Sequence, residues 1–208
     1  MPQLLYVSSS VRPDTSQSNK LGQIFCQYIS ELTPETTVVT RDVGINPPSH
    51  PDAAYTVANY TPPDERTPAM QSALAQSDML IDELLSSDQL VFSVPMYNFS
   101  VPSTFKAYID NLVRVGRTFI AAENGVFQGL LTGKKALFIT ARGAAYGEAS
   151  PLKAFDHQEG YLRTVSGFMG LTDVQFVHAD GLDFADKTYR DASLANAKKN
   201  LSEIATAW

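Results

Sequence analysis

Two short stretches of this chain carry side chains suited to gripping a small molecule. The first, Ser8-Ser9-Ser10-Val11-Arg12-Pro13-Asp14-Thr15-Ser16-Gln17-Ser18-Asn19, is rich in hydroxyls and leads into a run with helical spacing. A helix start presents free backbone N–H groups and the positive end of the macrodipole, so hydroxyls placed there suit a terminal phosphate. Ordinary N-capping needs one such residue, and here there are many. The stretch has no glycine and fits neither the Walker A pattern nor Gly-x-Gly-x-x-Gly, which disfavours a nucleoside triphosphate or a classical dinucleotide site. The second stretch, Pro95-Met96-Tyr97-Asn98-Phe99, joins two aromatics, a thioether and an amide. Apolar and aromatic side chains suit a flat ring and an amide suits its polar rim. The plainer alternative is that Met96, Tyr97 and Phe99 plug the top of a sheet.

Other chemistry is thinly represented. Cys26 is the only cysteine, which excludes an intramolecular disulfide and reads as a buried structural thiol. His50, His157 and His178 lie far apart without metal-ligand spacing, so no metal site is expected. A serine hydrolase would pair Ser8, Ser9 or Ser10 with His157 or His178, but no Gly-x-Ser-x-Gly elbow is present.

The elements that must position these stretches follow from periodicity. Leu4 to Val7, Thr37 to Thr40, Leu90 to Val94, Ala136 to Thr140 and Val174 to Val177 read as strands, several of them short apolar runs of the kind buried in parallel sheets. Between them, Leu21 to Leu32, Met70 to Leu85, Phe105 to Val113, Leu162 to Met169 and Thr188 to Thr206 carry helical periods, with Pro102 at the first turn of its helix. Gly44 to Pro68 is a Pro-rich excursion with a short helix around Ala53 to Asn59, and Arg114 to Gly133 reads as too broken for a regular element. Five strands with intervening helices predict a doubly wound α/β sheet, helices on both faces, in the order 2-1-3-4-5. That order opens a crevice between strands 1 and 3, flanked by the two stretches.

With 208 residues, a single domain spanning 1–208 with an insertion around 44–68 is expected. The net charge of -6 is spread without a block of like charge, so neither nucleic acid nor an anionic membrane is an expected partner. The start lacks the features of a signal peptide and no run reaches the length of a membrane span, which reads as cytoplasmic.

Taken together, Ser-Gln-Ser-Asn at Ser16 to Asn19, Pro-Met-Tyr-Asn-Phe at Pro95 to Phe99, Glu-Asn-Gly at Glu123 to Gly125, Thr-Gly-Lys-Lys at Thr132 to Lys135 and the Arg142-Gly143 pair resemble the flavodoxin-like, FMN-dependent NADH azoreductase and quinone reductase family, almost end to end. The resemblance implies that Ser10, Ser16, Gln17, Ser18 and Asn19 hold the FMN phosphate. It places Pro95, Met96, Tyr97, Asn98 and Phe99 along the flavin and ribityl chain, and Ala141, Arg142, Gly143 and Ala144 along the ring's opposite edge. It also implies a homodimer whose sites lie near the subunit interface. The implied reaction is ping-pong: NADH passes a hydride to flavin N5, and a quinone or azo compound then takes the same place. No protein nucleophile or acid is required, with Asn98, Tyr97 and Tyr146 as candidates for assistance. Arg142 is either a further donor to reduced flavin or a solvent-facing ion-pair residue of little energetic weight. Phe119, Ala121, Tyr146 and Val165 are expected on the substrate side. There the chain departs from the family pattern, which has aromatics near 121 and 165, glycine at 144 and histidine at 146, where Ala121, Val165, Ala144 and Tyr146 stand here. An electron-carrying flavodoxin remains the main rival, against which the Pro-rich excursion and the Arg114 to Gly133 insertion argue.

Overall fold

The computed structural model describes residues 1–12, 14–122 and 125–208, so Pro13 and the Glu123 and Asn124 of the Glu-Asn-Gly motif lie outside the described residues. In chain order the elements are β1 (Gln3–Ser8), α1 (Gln17–Leu32), β2 (Thr37–Asp42), α2 (Ala53–Tyr60), α3 (Pro68–Ser86), β3 (Gln89–Pro95), α4 (Ser103–Leu112), β4 (Phe119–Ala121), β5 (Phe127–Gly129), β6 (Lys135–Ala141), α5 (Gln158–Met169), β7 (Asp173–Ala179) and α6 (Lys187–Ala207).

A five-stranded sheet runs β2-β1-β3-β6-β7, with every neighbouring pair parallel. Successive strand side chains point to opposite faces, and each face is covered by helices. Leu4, Tyr6, Val91, Leu137, Ile139 and Val177 meet Leu21, Phe25 and Ile29 of α1 and Ala197 and Leu201 of α6. The alternate residues Leu5, Val7, Leu90, Phe92, Val94 and Phe138 meet Leu80, Ile81 and Leu84 of α3, Phe105 and Tyr108 of α4, and Leu162 of α5. Phe92, Phe138 and Phe176 stack across three adjacent strands, with centroids 4.8 and 5.1 Å apart. Each fully buried side chain of this size stabilises the fold by about 1.5–3 kcal/mol.

Three expectations are adjusted. Arg114 to Gly133 is not wholly irregular: β4 and β5 pair antiparallel, Phe119 opposite Gly129. Their aromatics close on α5, Phe119 lying 4.6 Å and Phe127 5.4 Å from Phe168 between centroids. A Cβ on Gly129 would fall 2.1 Å from the Gly170 nitrogen, so only glycine lets the hairpin back onto the end of α5. The two hairpin strands also change the count: in chain numbering the sheet order is 2-1-3-6-7, where five strands numbered alone read 2-1-3-4-5. Pro102 is the residue before α4 rather than within its first turn.

The Pro-rich excursion is tied down at several points. Asp52 caps α2 and Thr67 caps α3, each through a side-chain oxygen, and Asn111 of α4 donates 2.9 Å to the Ser49 carbonyl. Tyr55 of α2 packs with Ala58 and Leu74, which joins the excursion to α3.

Candidate active site

Four turns leave the carboxyl edge of the sheet, after β1, β3, β6 and β7, and together wall a cleft of about 740 Å³, within the range of small-molecule sites. The turn after β1 is drawn inward at once. The Ser9 N–H and hydroxyl donate to the Ser93 carbonyl at 3.1 and 2.8 Å, which pins the turn to β3. Ser16 caps α1 by accepting 3.2 Å from the Asn19 N–H and is 3.1 Å from the Ser18 hydroxyl. Beneath it, the Tyr6 hydroxyl meets the Asn19 carbonyl and Ser93 Oγ, and Ser93 Oγ donates 2.9 Å to the Ser18 carbonyl. This buried lattice fixes the first turn of a 16-residue helix, whose opening N–H groups have no partners within the helix.

The turn after β3 is tighter than its sequence declares. Tyr97 and Ser100 exchange N–H···O bonds at 3.0 and 3.1 Å, and the two residues between them, Asn98 and Phe99, take φ of 49° and 70°. A two-residue turn with primed geometry needs positive φ at both central positions. Asn tolerates this, while Phe pays on the order of 1–2 kcal/mol, and such strain persists only where the surroundings enforce it. Here the Phe99 carbonyl accepts 3.1 Å from the His157 N–H and its ring lies 5.6 Å from Phe155. The Ser10 and Tyr97 hydroxyls are 3.2 Å apart, so the hydroxyl-rich turn and the aromatic turn touch.

The turns after β6 and β7 are held by charge. Arg142 is 3 % exposed and its guanidinium grips Asp180 at 2.5 and 2.9 Å and Asp156 at 2.7 Å, with the Tyr146 ring 5.4 Å from its centre. Neither the solvent-facing nor the free-donor reading of Arg142 survives, because two carboxylates take up its charge. His178 lies beside this group, within 2.7 Å of Thr140 Oγ1 and 3.0 Å of Glu159. Burial and then Arg142 push its pKa down, and with Nε2 facing Glu159 the other ring nitrogen, Nδ1, faces the Thr140 hydroxyl.

Of the residues singled out by sequence, Ser10, Ser16, Gln17, Pro95, Met96, Tyr97, Asn98, Ala141, Arg142 and Gly143 line this one cleft. Others stand off it. Ser18 and Asn19 are buried behind the cap, Phe99 turns outward onto Phe155, and Tyr146 packs on Arg142. Ala144 is not among the lining residues, and its carbonyl accepts from the Gly181 N–H. Phe119 sits in the hairpin cluster, Ala121 is exposed at the hairpin's far strand end, and Val165 packs against the α3–α5 side of the core. Sequence reasoning missed Arg12 and Arg190 as cationic members of the wall, together with Leu182, Asp183 and Phe184 of the turn after β7. For the turn residues the signal available was position, since a residue just beyond a strand's carboxyl end faces this edge, whereas Arg190 sits in the first turn of α6 and carried no such signal. Among the described residues no group of three His, Cys, Asp or Glu side chains could hold a metal ion.

Such a wall can take an anion against the helix start and a flat, polar-rimmed ring against Met96, Tyr97 and Asn98. The family model described as flavodoxin-like fold matches residues 2–205. The FMN-dependent NADH:quinone oxidoreductase 2 of Trichormus variabilis is 46% identical over 209 residues, covering 100% of both chains. The FMN-dependent NADH:quinone oxidoreductase 2 of Pseudomonas fluorescens is 40% identical over 99% of this chain and 100% of its own. Among solved structures, an FMN-dependent NADH-azoreductase from Bacillus anthracis in complex with FMN superposes with a TM-score of 0.88 at 26% identity, over 100% of this chain and 99% of that one. With its sheet order, its crevice and a match over nearly its whole length, the chain belongs to the family of the flavodoxin-like fold.

Proposed function

We propose that this chain is an FMN-dependent NADH oxidoreductase that reduces quinones and azo compounds in the cleft between its four turns. The observation that carries the reading is the 3.2 Å contact between Ser10 and Tyr97, which makes one continuous wall of the hydroxyl-rich and aromatic turns. The donor chemistry fits FMN. Ser10 and Ser16 offer hydroxyls and Gln17 and Ser18 offer first-turn N–H groups to a phosphate, while Asn19 holds the cap in place. Arg12 and Arg190 line the same cleft, and neither guanidinium has an ion pair among the described residues, so both are available to an anionic ligand.

At the other end Met96 and Tyr97 give the ring an apolar bed, and the Asn98 amide and backbone N–H groups of the two turns supply donors to its polar edge. When bound, flavin supplies the two-electron chemistry that links NADH to the acceptor. The protein's part is to hold the ring at the sheet edge, to leave one face open, and to let donor and acceptor occupy that face in turn. No side chain of the cleft has to act as nucleophile. Any proton the product needs comes from water, or from Tyr97 where its hydroxyl is not engaged with Ser10.

The protein works as a homodimer in the cytoplasm, and Phe119, Ala121 and Val165, which lie off their own chain's cleft, shape the acceptor side of the partner's. Exposed Phe99, Phe155, Ile120 and Phe127 give such an interface apolar surface to bury. Among the described residues no helix is long and apolar enough to cross a membrane.

The test is an anaerobic titration of FMN-loaded protein with NADH and then with a quinone. Stoichiometric bleaching of the flavin band by NADH and its full return with quinone are expected. A band that NADH leaves untouched would mark an electron carrier instead. Asn98→Ala should weaken FMN binding by about 0.5–1.5 kcal/mol, and unchanged affinity would remove Asn98 from the ring site.

A further inference from the structure

Arg142, Asp156 and Asp180 form a buried group with one positive and two negative charges, their side chains 3 %, 4 % and 13 % exposed. One carboxylate would satisfy the arginine. Asp180 already does so bidentately, through Nε at 2.5 Å and Nη2 at 2.9 Å. The second carboxylate, Asp156, adds an anion to a region where unpaired charge is costly. Its other oxygen accepts from the Gln158 and Glu159 N–H groups at 3.0 and 3.1 Å, so the start of α5 offsets about half a charge. The surrounding groups leave the excess standing. Glu159 is matched by Arg163 at 2.6 Å, burial and Arg142 disfavour the charged form of His178, and on the cleft wall Asp183, Arg12 and Arg190 are all exposed, where solvent and salt screen them.

The position of this excess matters more than its size. Ala141, Arg142 and Gly143 line the cleft, so the net negative group lies directly behind the turn after β6. The Tyr146 N–H also donates 3.1 Å to Asp180, which spans that turn and the one after β7. A buried negative charge behind a redox cofactor opposes the charge gained on reduction, and low local dielectric preserves its reach.

We propose that Asp156 and Asp180 are potential-setting residues: the acidic excess they build around Arg142 holds the bound flavin's midpoint potential low, so that the reduced cofactor is a stronger donor to its acceptor. This rests on the reading of the cleft as an FMN site. The two carboxylates act through space and through Arg142 and touch neither donor nor acceptor. For a unit charge ~10 Å away and an effective dielectric near 20, Coulomb's law gives a preference on the order of tenfold, which sets the scale expected when either carboxylate is neutralised. For a two-electron couple that is about 30 mV.

The experiment measures the midpoint potential of bound FMN, by equilibration with a redox dye, in the wild-type protein and in Asp156→Asn, Asp180→Asn, Arg142→Lys and Asp183→Asn. Asn at 156 keeps an oxygen for the helix cap. A positive shift is expected in Asp156→Asn and Asp180→Asn that persists at high salt, because buried charges are poorly screened. Arg142→Lys, which keeps the charge but loses the fork, should loosen FMN binding with little change in potential. Asp183→Asn should shift the potential only at low salt. An unmoved or negative shift in whichever of the two carboxamide variants folds and binds FMN overturns the proposal. A wild-type protein that fails to bind FMN, or whose flavin NADH does not bleach, overturns the cofactor reading instead.

Discussion

Gly22 lies in the second turn of α1, where an added Cβ would sit 2.2 Å from Ser93 Oγ and 2.6 Å from the Tyr6 ring and hydroxyl. Ordinary contact begins near 3.4 Å, so Gly22→Ala requires a displacement of more than an ångström from fully packed neighbours. Overpacking of that kind costs about 1–3 kcal/mol. Swinging the Ser93 hydroxyl aside would break its bonds to Tyr6 and Ser18, each worth a further 0.5–1.5 kcal/mol or about that. Alanine's better helix propensity returns about 0.8–1 kcal/mol. The net loss is then roughly 2–4 kcal/mol, or a melting temperature lower by roughly 5–15 °C for a chain of this size.

Because the clash falls on Ser93, it can be relieved from the other side. Ser93→Ala alone should cost about 1–2 kcal/mol in lost hydrogen bonds, and the double variant should lose at least about 1 kcal/mol less than the sum of the singles. Chemical denaturation of all four proteins gives the coupling, and fluorescence titration with FMN reports whether the start of α1 has moved. A Gly22→Ala protein as stable as its parent, or strictly additive costs, would refute the packing argument. Tyr6 stays in place in every variant, so the rescue is partial.

Tyr108 is fully buried in α4 and its hydroxyl has no hydrogen-bond partner among the described residues, so Tyr108→Phe should leave stability unchanged or raise it by about 1 kcal/mol in urea denaturation; a loss larger than that would mean the hydroxyl is satisfied. His178 holds its proton less readily folded than unfolded, so its contribution is intact above pH ~6.5 and is lost as pH falls from there toward the lowered folded value, with a slope of up to about 1.4 kcal/mol per pH unit. Stability measured from pH 7 to 5 should therefore fall less steeply in His178→Gln, and parallel profiles would show that other groups carry the acid sensitivity.

Much of the scaffold could be read from sequence because it depends on local signals. Short apolar runs marked the five parallel strands, and Leu21, Phe25 and Ile29 recur at the spacing that buries one face of α1. The β4–β5 hairpin escaped because three-residue strands carry no period and their glycines read as breaks. Within the cleft, the two turns whose residues are contiguous were legible and the charged features were not. Nothing local tells Arg142 that Asp156 and Asp180 will surround it, since that meeting depends on β6, β7 and α5 converging at one edge. Ser18 and Phe99 were placed by their company in a motif, whereas the cap geometry turns one inward and the positive φ turns the other out.

The wall of the cleft draws on residues from Ser10 to Arg190, and β1, the first strand made, sits in the sheet with β2 on one side and β3 on the other. During synthesis the chain therefore carries an unfinished cleft wall until α6 has been made and has packed. No amino-terminal fragment ending before α6 contains the whole wall, and proteolytic removal of that helix would take Arg190 and the cover of Val177 in β7 together. Full closure of the cleft wall is thereby tied to the packing of α6 against the sheet.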